Sequence, residues 1–218
     1  MPRWPVFSSG LILATLLTSV SCKGGRAENR SVPALEGSIT APDFPASLDW
    51  LNTDRKLSLK DFRGKFVLLD FWTFCCVNCL HVLDELRPLE EKYADVLVTI
   101  GVHSPKFVHE AEHAAVVAAV ERYGVHHPVL DDPDLTTWSQ YAVRAWPTLA
   151  LVDPEGYVVA QLSGEGHAHA LDRMVAELVA EHEAKGTLHR GSGPYVAPEP
   201  VPGPLSFPGK AVVLRDGT

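Results

Sequence analysis

Continuous apolar segments in the first half of the chain predict strands that are covered on both faces. Residues 66–72 are apolar except for one acid, Asp70, and residues 96–102 form a second such segment. Segments of this length without polar alternation are typical of strands that have helices on both sides of their sheet. Residues 127–130 predict a third, shorter strand.

Apolar residues at helical spacing predict the helices between these strands. In residues 79–93, and again in residues 171–179, apolar side chains recur every three or four positions and mark one face of a helix. Residues 110–123 are rich in alanine and valine and predict another helix. Pro88 is expected to bend the first of these helices, and Gly186 is expected to end the last.

A turn containing proline and glycine predicts a hairpin near the end of the pattern. Residues 148–152 and 157–162 are two predicted strands, and residues 153–156 between them place proline second and glycine fourth, as in a type I turn. A short helix is predicted over residues 135–141. The predicted order βαβαβαββα indicates an α/β fold with a mixed central sheet flanked by helices.

The first 22 residues are predicted to be an export signal. Arg3 supplies a positive charge, and residues 11–20 form an apolar run that is too short for a typical membrane-spanning helix. Small residues then lead to Cys22, which predicts a lipoprotein signal whose thiol is lipidated. Simple cleavage of the signal and an uncleaved anchor remain alternatives.

Composition divides the remaining chain into three parts. Residues 23–46 are polar with scattered proline and glycine and predict a flexible tether, residues 47–187 hold the predicted domain, and residues 188–218 form a Pro/Gly-rich tail. Together with the signal, this division predicts an exported, periplasmic or otherwise extracytoplasmic protein that is tethered to a membrane through its lipid.

Charge and cysteine content narrow the function. The 218-residue chain has a formal net charge of −8, which argues against a nucleic-acid partner. Of the four cysteines, three lie within five residues of each other, so they cannot join distant loops as a structural disulfide framework. Clustered thiols in an exported protein indicate redox chemistry or metal binding; no closed set of metal ligands is visible.

The redox hypothesis depends on the sequence Cys76–Val77–Asn78–Cys79, the motif CVNC. Cys76 follows a predicted strand and begins a helix, where free backbone N–H groups and the helix dipole favour a thiolate. Cys79 lies three residues further on and is placed to resolve a mixed disulfide formed at Cys76. This pattern predicts a thiol–disulfide oxidoreductase that acts on protein thiols or disulfides without a cofactor; two buried core thiols are the alternative.

These residues resemble a known superfamily. Residues 71–79 resemble the active-site segment of thioredoxin-like proteins, and residues 58–65 with the long insert before the third strand resemble exported thioredoxins of the TlpA/ResA type. Residues 75–81 are similar to the thioredoxin-like domain found ahead of NHL-repeat propellers. Residues 207–210 are similar to the start of such a propeller, so we expect a truncated or split version. The resemblance covers residues 48–183.

The resemblance implies a thioredoxin-like fold with an inserted βα element before a cis-proline hairpin, and it implies roles for further residues. Asp70 matches a buried proton acceptor that helps to activate the deeper cysteine. Trp146 and Pro147 match the cis-proline segment whose backbone pairs with the substrate chain. Trp72 is expected to form a wall of the site. The alternative for Asp70 is a structural carboxyl. Pro147 could instead be an ordinary proline at a strand start, and Trp72 a core aromatic.

Three positions depart from the family pattern. Cys75 stands where tryptophan is common, Asp84 stands where a proline is common, and Val77–Asn78 replace the usual residues between the cysteines. The pair between the cysteines influences redox potential, so the direction of electron flow stays open. Cys75 is either a third, accessory redox thiol or a small apolar filler.

Copper binding is another chemistry that proteins of this fold perform. Cys75 and Cys79 resemble the C-x-x-x-C pattern of Sco-type copper chaperones, which need a histidine ligand; the candidates are His81, His103 and His167.

A peroxidase of the peroxiredoxin kind is the other enzyme considered. Thr73 lies three residues before Cys76, as in part of that motif, but Leu69 occupies the position of the expected proline. A redox-inactive binding or scaffold module with the same fold is a further alternative. It predicts that the cysteines have no ready reaction with a disulfide, and a disulfide-reduction assay separates it from the oxidoreductase.

Overall fold

The predicted alternation of strands and helices is present in the computed structural model, which describes residues 39–195. Strands are numbered β1 to β6 and α-helices α1 to α4 in chain order. They are β1 Asp49–Leu51, β2 Phe66–Trp72, α1 Val77–Lys92, β3 Leu97–His103, α2 His113–Arg122, β4 Val129–Asp131, α3 Thr136–Gln140, β5 Thr148–Val152, β6 Val158–Ser163 and α4 Ala168–Lys185, with 3-10 turns at Leu59–Phe62 and Val108–Ala111.

The strands form a mixed six-stranded sheet in the order β1-β4-β3-β2-β5-β6. The central strand β2 pairs in parallel with β3 and antiparallel with β5. Every residue of β2 is buried, as its unbroken apolar sequence predicts. The thioredoxin-like α/β fold is therefore confirmed, and β4 with α3 forms the βα unit directly before the hairpin of β5 and β6.

Alternate residues of β2 face two different apolar layers, because successive side chains of a strand point to opposite faces. Val67, Leu69 and Phe71 pack with the first 3-10 turn and with Trp138 of α3. The other side chains of β2 face the side that α1, α2 and α4 cover. Asp70 lies on this second face, beneath the helix that begins beside Cys76.

Two elements differ from the sequence expectation by more than their end residues. Strand β1 was not predicted; it has three residues, none of them buried, and pairs antiparallel with β4. The predicted helix over residues 110–123 is divided into a 3-10 turn and α2, which begins at His113. Helix α1 runs through Pro88 to Lys92. Gly186 ends α4 in the left-handed region at a φ of 70°, as predicted.

The domain extends beyond both of its predicted limits. Thr40 bridges Tyr157, and Phe44 is buried, so residues 39–46 pack on the domain instead of belonging to a flexible tether. After α4, the amide of His189 donates to the carbonyl of Gly64, which docks the beginning of the predicted tail.

The remaining terminal predictions lie outside the described residues. These are the signal over residues 1–22 with its lipidation site Cys22, most of the tether, and the propeller-like segment over residues 207–210. Within residues 39–195, no helix is long and apolar enough to cross a membrane.

Candidate redox site

Cys76 occupies the position directly before α1, where it caps the helix. Its backbone is extended, and its sulfur accepts a hydrogen bond from the amide of Cys79 at 3.3 Å. The first amides of a helix have no partner within the helix, so a sulfur at this position meets unsatisfied donors and the positive end of the helix dipole. The structure therefore confirms the predicted helix start and places the sulfur of Cys76 at the amide end of α1.

Cys79 lies directly behind Cys76 and is completely buried. The thiols of Cys75, Cys76 and Cys79 are free. Burial raises the pKa of Cys79 well above its usual value, and the neighbouring Cys76 and the charge of Asp70 raise it further. The pair thus consists of one partly accessible sulfur and one protected sulfur whose pKa is raised.

Asp70 lies in the middle of β2, opposite Gly101 of β3 and Leu149 of β5. Its carboxyl group is completely buried, and neither oxygen has a hydrogen-bond partner. Burial, assisted by the charge of Glu90, raises the pKa of Asp70 to about 8. A carboxyl with this pKa gains and loses its proton near neutral pH, which an ordinary aspartate does not do.

The Trp146–Pro147 bond is cis, as the family resemblance implies. The indole N–H of Trp146 donates to the carbonyl of Ser104 at 2.8 Å, and its ring stacks on Trp138 with centroids 4.1 Å apart. These two contacts fix the half-buried Trp146 in place immediately before Pro147. The segment is therefore held rigidly at the start of β5.

Trp72 does not lie where the sequence analysis expected. Its side chain is completely buried and meets the ring of His103 edge to face, with centroids 5.2 Å apart. Because the ring has no exposed surface, it cannot form a wall that touches a docked partner. It packs instead in the cluster that contains Cys79, so it contributes to the floor beneath the cysteine pair.

Cys75 is exposed, so it is not the apolar filler that one sequence alternative proposed. Its sulfur lies 3.6 Å from Nε2 of His109, in the 3-10 turn before α2. Burial of the thiol and the adjacent carboxylate of Glu110 raise the pKa of Cys75 above its usual value. This thiol is thus less ready to ionise than an isolated cysteine.

Glu110 is a site residue that the sequence analysis missed. Its buried carboxylate accepts hydrogen bonds from the Thr73 hydroxyl and from the amides of Cys75, Lys106 and Phe107. Burial alone would raise its pKa, but these donors outweigh burial and lower the pKa of Glu110 to about 2. The carboxylate therefore ties the loop before Cys76 to the turn before α2.

Replacing Glu110 with glutamine is expected to lower the free energy of unfolding by about 3 kcal/mol at pH 7. The folded-state pKa lies below the usual 4.5, so the stabilisation is present above pH 4.5 and is lost as the pH falls toward 2. The difference between wild type and variant should shrink to about 1 kcal/mol at pH 3. Urea unfolding at both pH values measures it.

The exposed neighbour Glu112 provides the matched control, because it caps nothing with its side chain. Glu112→Gln should leave unfolding nearly unchanged. A difference between Glu110→Gln and wild type that stays constant from pH 7 to pH 3 would contradict the assigned role of the carboxylate.

Within the described part of the chain, the geometry gives no support to the rival metal and peroxide sites. Within residues 39–195, the three-residue group of ligand atoms that converges contains no cysteine; it consists of Asp153, Glu155 and His182. His103, one of the copper candidates, is buried against Phe74 and Trp72. The Thr73 hydroxyl, which the peroxidase alternative needs near Cys76, donates to Glu110.

The site combines a helix-capping cysteine, its buried partner and, in the same cluster, the residue before a cis-proline. On this sheet, that combination defines the thioredoxin-like class, and the chain belongs to the thioredoxin-like family. The thioredoxin-like family model matches residues 64–158. The solved exposed lipoprotein thioredoxin of Streptococcus pneumoniae is 30% identical with a TM-score of 0.50, and the match covers 63% of this chain and 100% of that one.

Two longer proteins are also similar to this chain. Protein SUPPRESSOR OF QUENCHING 1, chloroplastic, from Arabidopsis thaliana is 44% identical over 180 residues, which are 80% of this chain and 17% of that protein. NHL repeat-containing protein 2 from Homo sapiens is 39% identical over 190 residues, which are 84% of this chain and 26% of that protein. The resemblance to ResA-type thioredoxins and to domains accompanied by NHL repeats is thus confirmed.

Proposed function

We propose that this protein is a thiol–disulfide oxidoreductase that exchanges electrons with protein cysteines through Cys76 and Cys79. One observation carries the proposal: the sulfur of Cys76 caps α1 while Cys79 lies buried directly behind it. The capped sulfur is suited to attack, and the buried sulfur is suited to finish the reaction once a mixed disulfide has formed.

In the reductive direction, the thiolate of Cys76 attacks a substrate disulfide. A bond forms between Cys76 and one substrate sulfur, and the second substrate sulfur leaves as a thiolate that takes a proton. Cys79 then gives its proton to the carboxylate of Asp70 and attacks the sulfur of Cys76. The mixed disulfide breaks, the substrate receives two electrons in total, and Cys76 and Cys79 become a disulfide that an external dithiol reduces again.

The surroundings of Cys76 favour an extended polypeptide as the partner. Val77 and Phe107 are exposed apolar side chains near this loop, and the cis-proline segment begins β5 close by. We propose that the backbone before Pro147 pairs with the substrate chain, as strand addition. Protein thiols and disulfides are thus the proposed partners, and the redox protein that supplies or removes electrons is a further, unidentified partner.

Reduction of insulin disulfides in the presence of a dithiol tests this function. The wild-type protein should accelerate the reaction, and alkylation at neutral pH should modify Cys76 faster than Cys75. Cys75→Ser should keep the activity, because that thiol is not needed in either step. A wild-type protein that does not accelerate insulin reduction would contradict the proposal and favour a redox-inactive binding module.

We further propose that the protein is exported and anchored to a membrane through a lipid on Cys22. The leader over residues 1–22 supports this, as does the similarity to a protein described as an exposed lipoprotein thioredoxin. Replacing Cys22 with alanine should move the protein from the membrane fraction to the soluble fraction, as measured by fractionation of cells that express either form. A variant that stays with the membrane would exclude lipidation at Cys22.

A further inference from the structure

Behind Asp70, the structure holds buried polar groups that the exchange reaction does not use. Asp70 lies opposite Gly101 in the parallel pairing of β2 and β3. A methyl group on Gly101 would lie 3.0 Å from Nε1 of Trp72 and 3.1 Å from Nε2 of His127, so both rings pack directly over this glycine, on the strand next to Asp70. Both ring nitrogens are buried without a hydrogen-bond partner, as are the carboxyl oxygens of Asp70.

His127 also contacts a second acid, Glu90. Its other ring nitrogen, Nδ1, lies 2.8 Å from a carboxylate oxygen of Glu90 on α1. The His127 side chain is 8% exposed, whereas that of Glu90 is 28% exposed. Burial alone would raise the pKa of Glu90, but the hydrogen bond from His127 outweighs it and lowers that pKa, so Glu90 is ionised at neutral pH.

Glu90 and His127 line a groove at the surface. Its volume is about 320 Å³, and Thr99, His126 and Tyr195 line it as well. The groove also borders Leu97, which pairs with Phe66 at the beginning of β2. Cys76 comes shortly after the other end of that strand, which is Trp72. The groove therefore opens at the end of the sheet opposite to the reactive sulfur.

We propose that His127 and Glu90 conduct the proton of Asp70 to solvent at this groove. This inference rests on the proposed function, in which Asp70 receives one proton from Cys79 in each reductive cycle. The proton passes from the Asp70 carboxyl to Nε2 of His127, the unpartnered ring nitrogen that packs over Gly101. Nδ1 of His127 then gives a proton to Glu90, which releases it to solvent. One proton moves and no electron is transferred.

A separate exit has a physical reason. During the mixed-disulfide stage the substrate is bound to Cys76 and covers the accessible side of the pair. Asp70 itself has neither exposed surface nor a hydrogen-bond partner through which to lose a proton. A route that ends at the opposite end of the sheet allows the carboxyl to be reset while the substrate is still in place.

Other titratable groups face the same region from each neighbouring element. Cys79 and Arg87 belong to α1, His126 precedes His127 in its loop, and Tyr195 comes from the segment after α4. Arg87 donates to the carbonyl of Tyr123 and helps to keep Glu90 ionised. His127 is the residue to change, because it contacts Glu90 through one ring nitrogen and packs over Gly101, beside Asp70, with the other.

Stopped-flow measurement of the two chemical steps with a disulfide peptide tests the exit. His127→Asn keeps an N–H donor near Glu90, but it lacks the imidazole ring that can take a proton on one nitrogen and give one from the other. Glu90→Gln removes the charge that accepts the proton. In both variants, attack by Cys76 should keep its rate, and the rate of the resolving step should fall about tenfold at neutral pH. Added imidazole, which is small enough for the groove, should restore much of this rate in His127→Asn.

His126→Asn is the matched control, because His126 lines the same groove with an exposed side chain. Resolving rates that are equal to wild type across the pH range in both His127→Asn and Glu90→Gln would overturn the proton exit while leaving the oxidoreductase intact. Equal loss of both chemical steps, without rescue by imidazole, would show a merely structural role and would also overturn it. Failure of the proposed function itself is distinguishable, because the wild-type protein would then show neither step.

Discussion

Cys76→Ser is expected to reduce the rate of disulfide exchange by about three orders of magnitude or more. A serine hydroxyl does not ionise near neutral pH, even at the start of a helix, and it cannot form the mixed disulfide on which both steps depend. Cys79 cannot replace Cys76, because it is completely buried and its pKa is raised. The insulin reduction rate under a dithiol measures the loss.

Two companion variants separate the roles of the three thiols. Cys79→Ser should still attack a disulfide once, but it should accumulate a mixed disulfide that gel electrophoresis without reductant detects. Cys75→Ser should stay within about twofold of the wild-type rate, since its thiol takes part in neither step. If Cys75→Ser abolished exchange while Cys76→Ser retained it, the assignment of the attacking sulfur would be wrong.

Asp70→Asn is expected to raise the free energy of unfolding by about 4 kcal/mol at pH 7 through its effect on ionisation. The folded-state pKa of about 8 lies above the usual 3.8, so the native state holds a proton that the unfolded chain releases. The wild-type protein therefore loses stability relative to the variant as the pH rises from about 4 to about 8, at up to roughly 1.4 kcal/mol per pH unit. Above pH 8 the difference should level off.

Chemical denaturation of wild type and Asp70→Asn between pH 4 and pH 9 measures this difference. Asp84→Asn is the matched control, since Asp84 is highly exposed on α1 and should give a curve parallel to wild type. The more stable Asp70→Asn should also resolve mixed disulfides more slowly, because Cys79 loses its proton acceptor. A stability difference between Asp70→Asn and wild type that does not change with pH would remove Asp70 from the proton transfer.

The sequence was sufficient for those features that depend on neighbouring residues. The unbroken apolar segment over residues 66–72 predicts the buried central strand, and the CVNC motif directly after it predicts the start of α1 at Cys76. Gly186 ends α4 where its conformational freedom allows a left-handed residue. In each case the determining signal lies within a few positions of the structural feature.

Features that depend on distant residues could not be predicted in this way. Glu110 is 35 residues from Cys75 and 37 from Thr73, and nothing in its local sequence indicates that its carboxylate accepts their hydrogen bonds. His127 and Glu90 are also 37 residues apart. Strand β1 is only three residues long and is held in the sheet by its pairing with β4. Such contacts exist only once the sheet has placed the segments side by side.

Both ends of the described chain leave the domain on the side away from Cys76. Thr40 pairs beside the turn that joins β5 to β6, and the amide of Gly191 bonds to the carbonyl of Asp95 just before β3 begins. The reactive sulfur follows the opposite end of β2. The two points at which the chain continues beyond the described residues therefore both lie at the end of the sheet opposite to the cysteine pair.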